Sequence, residues 1–247
     1  MTDTLIELPH RVGAALRLRV RMLAHHGGAV QCPICGHRFS AFGDDHNRAD
    51  ALCWRCGSHE RHRALWLYLD RHPRLLSDAG SLLHFAPEWS LQRRLRRVPG
   101  LRYVTTDLDP GKGELALDIT ALALPDASFG AILCSHVLEH VSDDGAAMRE
   151  LYRVLRPGGW AIVMVPLDTE RSSTYEDPAI VTRRQRELAY WQDDHVRLYA
   201  PDIAERLSAV GFTVTIERIA AQLGPELARR HRLLEADHVF LCRRRAN

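Results

Sequence analysis

Four cysteines constrain this chain more than any other feature. Two residues separate Cys32 from Cys35, two separate Cys53 from Cys56, and seventeen lie between the pairs. Thiolates two residues apart on a tight turn face one point, and the N–H groups of that turn can aim at sulfur. Gly36 and Gly57 follow the second cysteine of each pair and supply the left-handed backbone such a turn needs. Two matched knuckles at this separation read as a tetrahedral zinc site of Cys32, Cys35, Cys53 and Cys56. A filled four-thiolate shell leaves no open position, so the expected role of the Zn²⁺ is structural. A redox dithiol needs only one pair, and the matched glycines argue for the metal. Cys134 and Cys242 end predicted strands and read as small buried hydrophobes. This use of cysteine points to a reducing compartment, and the expected location is cytoplasmic.

Charge excludes a simple polyanion binder. The 247 residues hold 33 basic and 31 acidic side chains, a formal charge of +2. Of the basic residues 32 are Arg and only Lys112 is Lys, a skew more simply explained by coding bias than by function. With 46% hydrophobic and 26% charged residues, the chain can bury a proper core. No apolar run reaches the roughly 18 residues of a membrane span; the best is Trp160 to Pro166. Residues 11–23 interleave Arg with apolar residues and read as a helix packed on the body.

Three regions follow in order: a helical segment over 1–26, a zinc-ribbon module with its following helix over 27–72, and a larger domain over 80–247. In the last, strand-like and helix-like segments alternate. Residues 81–85, 102–106, 114–118, 130–134 and 160–166 read as strands, with helices over 89–97 and 143–155. Pro157-Gly158-Gly159 stops the second of these helices. A helix over 201–210 and strands over 212–218 and 238–242 flank a helical stretch near 225–235. The expected class is α/β: a doubly wound, Rossmann-like, seven-stranded sheet, its last strands antiparallel, with a small N-terminal zinc-binding module.

An open parallel sheet binds its ligand beyond the carboxyl ends of the strands, where strand order reverses. Phe85-Ala86-Pro87-Glu88, Asp107-Leu108, Asp118-Ile119 and Ser135-His136 follow the first four strands and should meet there. A carboxylate after the second strand is placed to hold a ribose diol, and one after the third to accept from an exocyclic amine.

Residues 81–166 resemble the class I S-adenosylmethionine-dependent methyltransferases. The resemblance is strongest in LPDASFGAILCSHVLEHVSDDGAAMRELYRVLRPGGWAIVMVP (124–166), similar to that family's post-adenine loop, fourth strand, helix and fifth strand. It implies S-adenosyl-L-methionine as cofactor, its ribose on Asp107, its adenine on Asp118 and its methionine end on the backbone after strand four. The chain departs from the family after strand one, where Leu83-His84-Phe85-Ala86-Pro87-Glu88 contains no glycine. There Ala86 is small, and Glu88 is expected to pair with the cofactor ammonium.

Methyl transfer to an oxygen or nitrogen nucleophile needs alignment and a proton acceptor. His136, His140 and His195 are the candidate bases, each set against a hydrogen-bonded structural histidine. His136-Val-Leu-Glu139-His140 spells the H-x-x-E-H of some zinc proteases, but it follows a strand instead of lying on one long helix. A few quinone-biosynthesis methyltransferases of similar sequence place a divalent ion at this spot, which leaves a second metal open. The insertion 167–200 sits where substrate loops lie, and Tyr175, Glu176, His195 and Arg197 are its expected substrate contacts. A small-molecule acceptor, natural-product or sugar-like, is the preferred reading. The rivals are an RNA methyltransferase that holds RNA on its zinc ribbon, and a catalytically silent module that kept the fold. Low net charge and 7% aromatic residues count against RNA.

Overall fold

The computed structural model describes residues 18–45 and 48–246. Most of the helix expected over 1–26 lies outside these; residues 18–24 are helical (α1). Two short antiparallel hairpins follow: β1 (His26–Gln31) with β2 (Arg38–Phe39), and β3 (Gly43–Asp45) with β4 (Arg48–Leu52). A cysteine pair follows β1, and the other follows β4. The chain then enters α2 (Glu60–Arg71) and α3 (Pro73–Ser77).

The larger sheet has seven strands: β5 (Ser81–Phe85), β6 (Arg102–Asp107), β7 (Leu115–Ala116), β8 (Phe129–Ser135), β9 (Leu155–Met164), β10 (Thr213–Arg218) and β11 (His238–Arg243). Their order is β7-β6-β5-β8-β9-β11-β10. The first five are parallel, and β11 runs antiparallel to both β9 and β10. Strand order reverses between β5 and β8, so the crevice opens at Ala86 and His136. Helices α4 (Trp89–Leu95), α5 (Asp144–Val154), α6 (Arg183–Tyr190), α7 (Ile203–Ala209), α8 (Ile219–Leu223) and α9 (Pro225–His231) complete the chain.

Two local expectations need correcting. Only Leu115–Ala116 of the segment 114–118 forms a strand. It is the sheet edge with β6 as its one neighbour, so Asp118 falls in the following turn. Strand β9 starts at Leu155, ahead of Pro157-Gly158-Gly159. Its register with β8 jumps from Phe129–Leu155 to Ala131–Trp160, so residues 156–159 bulge out of the ladder.

Alternation along the strands divides the core in two. Leu83, Phe85, Ile132, Cys134, Ala161 and Val163 pack with Ala147, Leu151 and Leu207 of α5 and α7. Leu82, Ala131, Leu133 and Ile162 pack on the other face with Leu65 and Leu69 of α2 and Leu91 of α4. Val30, Cys32, Phe39, Phe42 and Cys53 belong to that same cluster. The cysteine module therefore closes no core of its own; it shares one with the sheet. Arg63 of α2 is the fastener. It is fully buried, and its guanidinium donates to Ala51 O (2.8 Å) and Ser58 O (2.8 Å) in the module. It also donates to His231 O (2.7 Å) and Arg232 O (3.2 Å) at the end of α9.

Burial pushes His59 down to about 4 and holds His231 and His238 below the ordinary imidazole value. Such a histidine is neutral in the fold, while the unfolded chain gains its proton below about pH 6.5. Stability present above that pH is lost as pH falls, by up to ~1.4 kcal/mol per unit for a fully buried group and less for these. The urea midpoint should fall on going from neutral to mildly acid pH. A flat midpoint across that window would contradict the burial assigned to these rings.

Candidate functional site

The two cysteine turns repeat one geometry. Cys32 N donates to His37 O (2.9 Å) and Gly36 N to Cys32 O (2.9 Å); Cys53 N donates to Ser58 O (3.0 Å) and Gly57 N to Cys53 O (2.9 Å). Gly36 and Gly57 have φ of 78° and 64°, the left-handed region predicted for them. The four sulfurs converge within 4.8 Å of one another. Cys32 and Cys56 Sγ lie 3.6 Å apart, and Cys35 and Cys53 Sγ 3.7 Å apart. A tetrahedron with ~2.3 Å metal–sulfur bonds has edges of about 3.8 Å, so spacing and donor type both fit Zn²⁺. Ser58 Oγ stands 3.3 Å from both Cys32 and Cys56 Sγ, a hydroxyl beside two thiolates.

At the crevice, the turn after β5 answers the missing glycine. Ala86 itself takes φ of 44°, and its N–H donates to Thr106 O at 2.8 Å. Across the reversal point His136 has φ of 54°, its N–H on Met164 O at 2.8 Å. Left-handed backbone costs a non-glycine residue about 1–2 kcal/mol, so both turns are held by their surroundings. Asp107 is half-buried; its Oδ1 accepts from Asp109 N at 2.9 Å, and Oδ2 has no hydrogen-bond donor among the described residues. Asp118 is exposed, and its Oδ1 accepts from Thr120 N (2.8 Å) and Oγ1 (2.7 Å). Those two bonds hold its carboxyl below the usual range. Leu108 is 70% exposed and Ile119 only 6%. Ser135, buried at the end of β8, has a hydroxyl with no hydrogen-bond partner. An orphaned hydroxyl and two half-used carboxylates at three strand ends are groups a polar ligand would complete.

Glu88 and Pro87 continue the first turn. The Glu88 carboxylate lies 3.0 Å from Nε2 of His84 and 3.4 Å from Nε2 of His62. Burial alone would raise its pKa, but the two imidazoles outweigh it and keep the group ionised. His84 Nδ1 is 2.8 Å from the Tyr103 hydroxyl. His62 comes from α2 and His84 from β5, and neither carries a sequence signal for this role.

A second group of side chains lies beyond β8. Donor atoms of Glu139, His140 and His195 fall within 4.8 Å of one another, a set a divalent cation also takes. Glu139 is 1% exposed, neither of its oxygens receives a hydrogen bond, and burial pushes its carboxyl up to about 7. His136 Nδ1 stands 3.2 Å from Glu139 Oε1. His195 Nδ1 pairs with Tyr190 O at 2.8 Å, and His140 Nδ1 lies 3.2 Å from Asp194. The two rings meet edge to face, 4.8 Å between centroids. Glu139 is the member missed as a site residue; its signal was the middle of H-x-x-E-H.

The insertion supplies the frame for this group. Val196 N donates to Glu139 O at 2.8 Å. Arg197, 3% exposed, donates to the carbonyls of Leu138 (3.0 Å), Val141 and Ser142 (2.9 Å), and to Glu176 Oε2 at 2.8 Å. Arg206 ties Glu176 (2.8 Å) to Asp144 (2.9 Å), and Tyr199 donates to Asp144 at 2.7 Å. Glu176 and Arg197, expected at the substrate, are thus engaged in holding the 138–142 turn. Tyr175 is half-buried, its ring edge-on to Tyr190 at 5.6 Å.

Comparison with known proteins agrees with this architecture. Residues 92–163 match the family described as a methyltransferase domain. The chain is 39% identical over 77 residues to a malonyl-[acyl-carrier protein] O-methyltransferase of Serratia marcescens, covering 27% of this chain and 30% of that one. It is 31% identical over 114 residues to a probable S-adenosylmethionine-dependent methyltransferase of Mycolicibacterium smegmatis, covering 46% and 37%. The chain thus spans about a third of the length of each of these relatives. Among solved structures, the [4+2]-cyclase SpnF superposes with a TM-score of 0.54 at 16% identity, covering 84% of this chain and 87% of that one. The strand order and its reversal point are those of the Rossmann-like methyltransferase fold, and the stretch from α4 to β9 carries the match to the methyltransferase-domain family.

Proposed function

We propose that the chain transfers a methyl group from S-adenosylmethionine to an oxygen or nitrogen nucleophile of a small molecule, with a structural Zn²⁺ held by Cys32, Cys35, Cys53 and Cys56. The observation that carries the reading is the joint placement of Asp107, Asp118 and Ser135 around the reversal point, each with polar capacity left over. When bound, the cofactor supplies an electrophilic methyl group on a sulfonium. Asp107 Oδ2 accepts from the ribose hydroxyls, and Asp118 from the adenine amine. The exposed Leu108 and the buried Ile119 beside them would supply apolar surface to the base. Ser135 and the backbone at His136 receive the methionine end, and the ionised Glu88 sets a negative potential for its ammonium.

The acceptor's proton goes to the group beyond β8. Donor atoms of Glu139, His140 and His195 lie within 4.8 Å of one another, and His136 Nδ1 stands 3.2 Å from Glu139. Each imidazole thus has beside it a carboxylate that burial pushes up to about 7 and that can take a proton near neutral pH. Burial lowers His195, and its Nδ1 bond to Tyr190 O orients the ring. Likeness to a cyclase shows the fold alone, so cofactor binding is the first test. S-adenosylhomocysteine should bind with heat in calorimetry, and Asp107→Ala should weaken it roughly 10- to 100-fold. No heat at millimolar concentration would end the transferase reading; unaltered affinity in the variant would end the ribose assignment.

A further inference from the structure

We infer that the cysteine module is a working part of the cofactor site, and that His62 is the positioning residue through which it acts. The inference rests on the transferase reading, because it concerns the turn that carries Glu88. Three features converge on His62. It stands in the first turns of α2, 5% exposed, with Nε2 3.4 Å from Glu88 Oε1. That nitrogen is buried and makes no hydrogen bond among the described residues; the Glu88 carboxylate is its ion-pair neighbour. The opposite oxygen of Glu88 faces His84, which Tyr103 anchors in turn at 2.8 Å. The carboxylate therefore lies between two imidazoles at ion-pair distance, one brought by the sheet through His84 and one by the module through His62.

The start of α2 is in turn set by the cysteines. Only Gly57, Ser58 and His59 separate Cys56 from the helix, and Ser58 Oγ contacts two of the four sulfurs. His62 Nδ1 accepts from His59 N at 3.2 Å, which fixes the ring at the helix entry and leaves Nε2 as the donor toward Glu88. Arg63, the next residue, locks the same turn of helix to Ala51, Ser58 and the end of α9. The path from thiolates to cofactor turn thus runs Cys56, Ser58, His62, Glu88, Ala86. A glycine-rich turn relies on its own backbone to approach a ligand; here Ala86 sits at φ of 44° and needs an external hold. His62 supplies it.

The test is a double-mutant cycle read as S-adenosylhomocysteine affinity by calorimetry on zinc-loaded, full-length protein. His62→Leu should weaken binding roughly tenfold, and His62→Gln, which keeps a donor near Nε2, should recover most of that loss. Glu88→Gln should weaken binding by itself and make His62→Leu silent in its background. Losses that simply add, or a His62→Leu protein that binds like the parent, would overturn the inference. Leu in place of His62 leaves Glu88 short of a partner, so its fold is checked in the Glu88→Gln background, where no charge is stranded. Parent protein that binds no S-adenosylhomocysteine would sink the transferase reading first, and so be told apart from failure of the cycle.

Discussion

Arg63→Met should cost about 3–5 kcal/mol of folding stability, a large share of the roughly 5–15 kcal/mol a domain has. Arg63 is 0% exposed, and its guanidinium makes four hydrogen bonds to four different carbonyls. It also lies 4.3 Å over the Phe42 ring. Methionine fills much of the volume but donates nothing, so four buried carbonyls lose their donor together. Lysine is no rescue, because a point charge cannot span a fan of four acceptors. Urea denaturation of parent and variant measures the difference. A change below about 1 kcal/mol would show that water or rearranged backbone satisfies those carbonyls. Two of the four lie at His231 and Arg232, so the variant should also loosen α9 from β1. Hydrogen exchange of the amides near Gln31 reports that locally.

Cys53→Ser should remove the metal and collapse the module's share of the core. Structural zinc contributes on the order of 10 kcal/mol of binding free energy that doubles as folding free energy. A hydroxyl is a poor replacement for a thiolate in a soft four-sulfur shell. Elemental analysis should find one zinc per parent chain and none in the variant; unchanged metal content would refute the four-thiolate site. The damage should not stay local. Cys32, Cys53 and Phe42 share one apolar cluster with Leu65, Leu82 and Ile162 of the helix and sheet. Loss of the metal should therefore lower the thermal midpoint of the whole protein and remove the hold of His62 on Glu88. A variant whose sheet unfolds at the parent midpoint would show that module and sheet are separable units.

Much of this was legible in the residues. Near-continuous apolar runs marked β5, β8, β9 and β11, strands buried on both faces, and β-branched residues marked β6 and β10. Knuckle spacing and the two glycines gave the cysteine turns, since their geometry is local. Asp107 and Asp118 could be placed along the chain because Asp107 closes β6 and Asp118 lies two residues past β7. Helix α6 went unread, although Thr182 and Gln185 form a capping box, with Gln185 N on Thr182 Oγ1 and Gln185 Oε1 taking Thr182 N at 2.9 Å. Thr-x-x-Gln ahead of a helical run was the available signal.

Local order along the chain also decided the alternation of elements, and through it the seven-stranded sheet and its reversal point. What the sequence could not decide is which distant side chains meet. His62 and Glu88 are 26 residues apart, and Glu139 and His195 are 56 apart; each pair joins only when strand order brings two loops to one edge. Arg63 reads from sequence as one more arginine among 32. Only the packed structure makes it a buried cross-link, because a contact's energy depends on burial and partners, neither of which is a property of the residue alone. The same reason applies to Glu176 and Arg197, whose charges find each other inside the frame. The four cysteines were a local fact from the start, and their connection to the cofactor turn is a tertiary one.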